Sequence, residues 1–107
     1  MNTRTEQLEK LLENGPDNAM LRFGLGKAWL DEGDPARAAV HLGKAVELQA
    51  DYSAAWKLLG KALAGAGRAD DARAAYARGI EVAEARGDVQ AAKEMRVFAR
   101  RLQTRPE

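Results

Sequence analysis

Residues 56–76 read WKLLGKALAGAGRADDARAAY, and a similar pattern stands one period earlier in residues 22–42, RFGLGKAWLDEGDPARAAVHL. The two stretches begin 34 residues apart. Such a lag is typical of stacked repeats, in which each unit buries its core only against its neighbours. The positions that return unchanged are Asp17, Leu25, Gly26, Lys27, Ala28, Gly33, Ala38 and Glu47, which reappear as Asp51, Leu59, Gly60, Lys61, Ala62, Gly67, Ala72 and Glu81.

The composition around this pattern favours helices throughout the chain. Ala, Leu, Glu, Lys and Arg dominate, Gly and Pro interrupt at short intervals, and no runs of Val, Ile and Thr alternate with polar residues. We expect a single all-α domain over 1–107, built from six helices that form antiparallel pairs with turns of about three residues. Its predicted parts are a half-repeat helix over 4–14, a first repeat over 18–50, a second repeat over 51–86 and a capping helix over 88–102.

Cap residues mark the predicted helix starts. Thr3 and Glu6 have the spacing of a capping box, and Pro35 suits the first turn of a helix. Fraying is expected after Thr104. The predicted N-caps of the next three helices are Asp17 or Asn18, Asp34, and Asp51, and Gly87 with Asp88 separates the last two helices.

The second unit resembles the tetratricopeptide repeat, a 34-residue helix-turn-helix motif. The residues that carry the resemblance are Trp56, Leu59, Gly60, Leu63, Gly67, Ala72 and Tyr76. The first unit is looser, because Arg22 stands where Trp56 stands one period later, while Leu25, Gly26 and Trp29 fit. The resemblance implies a right-handed α-solenoid of stacked helix pairs. The last helix does not keep the register, so we expect it to cap the stack.

Glycines at one register predict a close helix crossing in each unit. Gly26 and Gly60 lie inside helices, where glycine costs about 0.5 to 1 kcal/mol relative to alanine. Close approach of the partner helix at Ala38 and Ala72 would offset that cost. Larger side chains would fill the space beside the crossing: Trp29, Leu42, Trp56 and Tyr76. The pattern offers no reason for Gly24, Gly43 and Gly79.

The resemblance also implies a concave groove, lined by the first helix of each unit, that receives an extended peptide or a partner's helix. The groove residues would be Met20, Phe23, Lys27, Asp31, Lys57, Leu58 and Lys61. A groove that is part apolar and part cationic suits a protein or peptide with an apolar anchor beside a carboxylate, and therefore an acidic partner. The alternative is that Phe23 and Leu58 pack between neighbouring helices and that the lysines are solvated charges.

The remaining chemistry-bearing residues favour ordinary structural roles. Lys93, Arg96 and Arg100 form a basic stripe that could dock an acidic partner, but no aromatic residues accompany it, so nucleic acid is not expected. His41 is the one histidine, for which we expect a surface or edge position, and Ser53 is expected to cap a helix. Cysteine is absent, which removes thiolate chemistry. The sequence predicts no enzyme, cofactor or metal site.

Charge is balanced overall and polarised along the chain. Residues 1–53 carry six basic and nine acidic side chains, and residues 54–107 carry eleven and seven. No apolar run approaches the roughly 20 residues of a membrane span, so we expect a cytoplasmic protein, and the preference for Arg and Ala suggests a bacterial one. A monomer or weak homodimer is expected. The alternative function is a self-assembling scaffold that pairs through exposed terminal helices.

Overall fold

The computed structural model describes residues 3–103, and this part of the chain contains six helices and no strand. The prediction of an all-α fold with six helices is therefore confirmed. The helices are α1 (Arg4–Asn14), α2 (Ala19–Asp31), α3 (Pro35–Leu48), α4 (Ser53–Gly65), α5 (Ala69–Ala85) and α6 (Val89–Gln103).

The helices stack in two rows. Each helix packs on its neighbours in the chain, and α2, α4 and α6 also contact one another in series. The backbones of α1, α3 and α5 do not approach one another as closely, although the side chain of Glu9 on α1 reaches His41 on α3. The molecule measures 42 × 33 × 18 Å, and its shortest dimension is about two helix diameters. One row of first helices, α2, α4 and α6, is thus backed by α1, α3 and α5.

Glycine turns close three of the helices. Gly33 and Gly67 have φ values of 81° and 80°, in the left-handed region that residues with a Cβ rarely adopt. The amide of Asp34 donates to the carbonyl of Trp29 at 2.9 Å, and the same bond joins the equivalent residues of the second hairpin at 2.9 Å. Gly87, with a φ of 76°, follows α5. These turns set the direction of the next helix.

The cap predictions held for the first three helices. Thr3 forms the capping box with Glu6, and Asn18 rather than Asp17 caps α2 by accepting from the amide of Leu21 at 2.8 Å. Asp34 caps α3.

The cap predictions for α4 are wrong. Its N-cap is Tyr52, which makes no side-chain cap bond, and the carboxylate of Asp51 instead lies 3.2 Å from the guanidinium of Arg86. Ser53 is already helical, and its hydroxyl donates to Asp88 at 3.1 Å. Asp88 accepts from the amide of Ala91 as well, so Ser53 ties the start of α4 to the start of α6. At the start of α4, Asp51 and Ser53 therefore make long-range contacts and no local N-cap hydrogen bond.

Both predicted crossings exist, but the atoms in closest approach differ from those expected. A Cβ built on Gly26 would lie 2.3 Å from Leu42, and one built on Gly60 would lie 2.3 Å from Tyr76. Ala38 and Ala72 are fully buried. Leu42 and Tyr76, which were expected beside the crossing, therefore fill it, because the missing glycine side chain leaves room for a large one from the partner helix.

Gly79 marks a third close approach, which the repeat pattern did not explain. A Cβ at this position would lie 2.5 Å from the sulfur of Met95 and 2.8 Å from Cβ of Trp56. Helices α4, α5 and α6 thus converge on Gly79. Its glycine is required by packing from two sides at once.

Helix α6 ends the stack with a changed register. The second helix of the second hairpin is longer than that of the first, with 17 residues in α5 against 14 in α3. Counted from the first residue of each first helix, Leu25, Leu59 and Met95 are equivalent. Arg96 then takes the place of the crossing glycine, and its guanidinium pairs with Glu84 of α5. An arginine at this position cannot form the crossing that the hairpins use.

Candidate binding surfaces

All seven predicted groove residues lie on α2 and α4, in the row of first helices. The structure leaves Met20, Lys27, Asp31 and Lys61 exposed and half-buries Phe23, Lys57 and Leu58. We use "groove" for the common surface of α2, α4 and α6 on which these residues, Met20 excepted, lie.

The aromatic and aliphatic members of the groove make contacts within the protein. The ring of Phe23 stacks on Tyr52, with centroids 5.0 Å apart and planes at 28°. Leu58 packs partly buried against the main core. Phe23 therefore joins α2 to the residue before α4. The apolar part of the groove is a floor held between helices, with one side still open to solvent.

The two lysines of α4 face α6. The ammonium of Lys57 lies 2.7 Å from a carboxylate oxygen of Glu94, which also accepts from Gln90 at 3.1 Å. The hydrogen bond from Lys57 lowers the pKa of Glu94 below its ordinary value. Lys61 lies 5.9 Å from the centroid of the Phe98 ring. Sequence reasoning missed Glu94 and Phe98, because the register shift hid the equivalence of α6 with α2 and α4.

Met20 lies apart from the other predicted groove residues, beside α1. Its side chain is 77% exposed at the start of α2, and it borders an open cleft of about 420 Å³ beside α1. The walls of the cleft are mostly apolar. Its lining residues are Leu11, Gly15, Pro16, Asn18, Met20 and Leu21.

His41 is buried, which makes the prediction of a surface or edge position wrong. Its Nδ1 lies 3.0 Å from the guanidinium of Arg22, and its Nε2 lies 3.2 Å from a carboxylate oxygen of Glu9. These partners assign the neutral tautomer that accepts at Nδ1 and donates from Nε2. Arg22 also pairs with Asp17 at 2.8 Å. Trp29 donates to Glu9 at 3.2 Å, so Glu9 connects α1 to both α2 and α3.

Burial dominates the titration of His41. It lowers the pKa of the imidazole below its ordinary value, and the nearby charge of Arg22 lowers the pKa further, while Glu9 and Asp17 act in the opposite direction. The sequence held a signal for this cluster. Arg22 and His41 stand at the register positions that Trp56 and Ala75 occupy in the second unit. The first unit therefore carries two polar side chains where the second carries apolar ones.

The outer sides of α1 and α6 carry opposite charges. An open pocket of about 360 Å³ is lined by Thr5, Glu6, Glu9, Lys10, Glu13 and Trp29. One face of Trp29 is covered by the guanidinium of Arg37, 4.8 Å from the ring centroid. On α6, Lys93 and Arg100 are exposed.

Within residues 3–103, no group of three or more His, Cys, Asp or Glu side chains is placed to hold a metal, and no described helix is long and apolar enough to cross a membrane.

Comparisons with known proteins agree with this architecture. Two family models described as tetratricopeptide repeat match residues 30–95 and 6–50. TPR repeat-containing protein PA0015 of Pseudomonas aeruginosa is 57% identical over 97 residues, which cover 91% of this chain and 92% of that protein.

Two solved structures are also similar. The solution structure of BPP2914 from Bordetella parapertussis has a TM-score of 0.81 and 45% identity, and the match covers 96% of this chain and 90% of that one. A tetratricopeptide repeat domain protein from Salinibacter ruber, also solved in solution, has a TM-score of 0.76 and 28% identity, with coverage of 86% and 93%.

Proposed function

Because this chain belongs to the tetratricopeptide repeat family, we propose that it is a non-catalytic module that binds a partner protein in the groove of α2, α4 and α6. Proteins of this family generally mediate protein–protein interaction. The partner segment is an extended peptide or a helix that presents an apolar side chain flanked by carboxylates.

One observation carries this proposal. Lys27 and Lys61 are equivalent residues of the two hairpins, both are exposed, and both lie on the surface that contains the half-buried Phe23 and Leu58. Two cations one repeat apart, beside an apolar floor, suit an acidic segment with an apolar anchor. Lys57 contributes less, because Glu94 already compensates its charge.

The test reverses the two exposed charges. The wild-type chain, immobilised, is used to capture proteins from a Pseudomonas aeruginosa lysate, and a captured protein is then purified for calorimetric titration. We expect Lys27→Glu with Lys61→Glu to weaken binding by about tenfold or more, which corresponds to about 1.4 kcal/mol. Lys57 is left unchanged, since Lys57→Glu would face Glu94 and disturb the contact between α4 and α6.

The matched control reverses two lysines outside the groove. Lys10→Glu with Lys44→Glu makes the same change in net charge on α1 and α3, where both side chains are exposed. The control should bind like the wild type, and wild-type binding should weaken as salt is added. Equal loss in both double variants would show that net charge, not the groove, governs binding. Unchanged binding in the groove variant would place the site elsewhere.

We also propose that the two repeats span 18–50 and 51–86 and that the partner is acidic. The protein is further proposed to be cytoplasmic and bacterial, since the named relatives are bacterial.

A further inference from the structure

Helix α1 exposes a face that its equivalents bury. Leu11 stands one repeat before Ala45 and two repeats before Gly79, and both of those residues are buried. Leu11 is 59% exposed. Leu8 is likewise the equivalent of Leu42 and Tyr76, which are 0% and 2% exposed, yet it is only half-buried. The apolar positions are kept in α1, but the cover is absent.

The protein itself shows what covers this face. In α3 and α5 the equivalents of Leu8 pack against the helix that precedes them, with Leu42 over Gly26 and Tyr76 over Gly60. Gly79, the equivalent of Leu11 in α5, meets Trp56 of the preceding α4 as well as Met95 of α6. Among the described helices, α1 packs on α2, which follows it, and none covers the side of α1 that carries Leu11. The uncovered face therefore has the geometry of a position for one more first helix.

Helix α2 supplies the second wall of this position. Met20 and Leu21 lie at its start and border the 420 Å³ cleft together with Leu11. The first helices pack side by side in the rest of the stack, α2 on α4 and α4 on α6. The cleft thus continues an interface that the molecule already uses twice. We call the surface formed by Leu8, Leu11, Met20 and Leu21 the N-terminal face.

We infer that the N-terminal face binds an amphipathic helix of another protein, one that carries glycine or alanine where it meets Leu8. The small residue is required because Leu42 and Tyr76 each pack in the space that a partner glycine leaves. Apolar residues one turn away on the same helix face would cover Leu11 and Met20. This site is separate from the proposed groove and does not depend on it.

A second copy of the chain does not offer such a helix from its described residues. The crossing glycines Gly26 and Gly60 are already covered within each copy. Helix α6 has its apolar face against α5, and Arg96 stands at its crossing position. Pairing of two α1 helices would set leucine against leucine without a small residue between them. The chemistry of the face therefore favours a heterologous helix.

The probe is a synthetic peptide with the sequence of residues 51–66, DYSAAWKLLGKALAGA, which contains a first helix with its crossing glycine. The intact chain is labelled with ¹⁵N and titrated with the peptide. We expect the amide shifts of Leu11, Gly15, Met20 and Leu21 to change and those of the groove residues Lys27 and Lys61 to stay. A peptide with Leu in place of Gly60 is the matched control and should bind about tenfold more weakly or not at all.

Protein variants complete the experiment. Leu11→Lys and Met20→Lys should each weaken binding of the peptide by about tenfold, because both side chains are exposed in the free protein and buried in the complex. Val40→Lys, on α3, changes an exposed apolar residue away from the face and should bind like the wild type. Circular dichroism melts establish that all three variants fold.

Three results would overturn the inference. The first is shift changes centred on Lys27 and Lys61, or none at millimolar peptide. The second is equal binding by the Leu-containing peptide. The third is a dimer that forms without peptide and is lost in Leu11→Lys, which would assign the N-terminal face to self-association. Light scattering coupled to size-exclusion chromatography detects that dimer.

Discussion

The hairpins α2–α3 and α4–α5 share one backbone arrangement but differ in the side chains that pack beside it. Both place a glycine of the first helix under a large side chain of the second, Leu42 over Gly26 and Tyr76 over Gly60. Both close their turn with a left-handed glycine. The crossing is therefore common to the two hairpins.

The difference lies beside the crossing. In the first hairpin, the half-buried Arg22 and the buried His41 form a polar cluster that Glu9 completes from α1. In the second hairpin, the equivalent residues are Trp56 and Ala75, and Trp56 packs on Gly79 where α6 converges. The polar cluster faces α1, where Leu11 is exposed, and Trp56 faces α6, where Met95 is fully buried.

The two hairpins hold their neighbouring helices, α1 and α6, in different ways. Apolar packing of α6 on α5 buries Met95 completely and needs no partner of a particular charge. Attachment of α1 involves directional hydrogen bonds that Glu9 accepts from Trp29 and His41, and the Nδ1 of His41 accepts from Arg22 only while the imidazole is neutral. The first hairpin is thus open to control by pH in a way that the second is not.

The largest expected effect comes from filling the crossings. Gly60→Leu should destabilise the protein by about 3 kcal/mol, because the rigid ring of Tyr76 cannot move aside. Gly26→Leu should cost less, about 1 to 2 kcal/mol, since Leu42 is aliphatic and can change rotamer. Equilibrium unfolding in urea measures both. An unchanged urea midpoint for either variant would place its crossing elsewhere. Equal losses of unfolding free energy would show that Leu42 and Tyr76 accommodate the added side chain equally well.

The crossings themselves could be predicted from sequence, because one register repeats and glycine inside a helix needs a reason. What fills them could not be ranked, since Ala38 and Leu42 lie on the same helix side and only geometry decides which reaches the glycine. Asp51 was misplaced for a similar reason. Its local capping role competes with a distant partner, Arg86, that no nearby residue indicates.

A smaller effect should separate the hairpins by pH. The folded-state pKa of His41 is below the unfolded value near 6.5, so the unfolded chain binds more protons as pH falls through that region. Wild-type stability should therefore decrease from pH 7.5 to pH 5, by at most about 1.4 kcal/mol per unit. His41→Ala, which copies Ala75, should flatten the profile. Thermal melts across this range measure it, and parallel profiles for the two proteins would contradict a role for His41.

The smallest effect is a gain. Gly43 lies inside α3, and a Cβ there would meet nothing within 4 Å. Gly43→Ala should therefore stabilise the protein by about 0.5 to 1 kcal/mol, through helix propensity and a less flexible unfolded chain. It also serves as the control for the crossing variants, since it adds a side chain to a helical glycine that no partner approaches. A lower midpoint would mean that α3 has a contact at this position.

The candidate surfaces were predictable to a different degree. The family pattern placed all seven groove residues on the first helices, but the floor contacts of Phe23 and the pairing of Lys57 needed coordinates, because Tyr52 and Glu94 lie outside the repeating positions. The N-terminal face was missed. Leu11 reads as one of several leucines on an amphipathic helix, and only its exposure shows that a cover is lacking.

The extra length of α5 limits how this array could be lengthened by engineering. A duplicated segment inserted between α3 and α4 would keep the 34-residue phase and meet a glycine on each side of the junction. A copy appended behind α6 would begin out of phase and meet the charged head of Arg96. Growth of this protein by internal duplication is therefore possible in its middle and blocked at its carboxyl end.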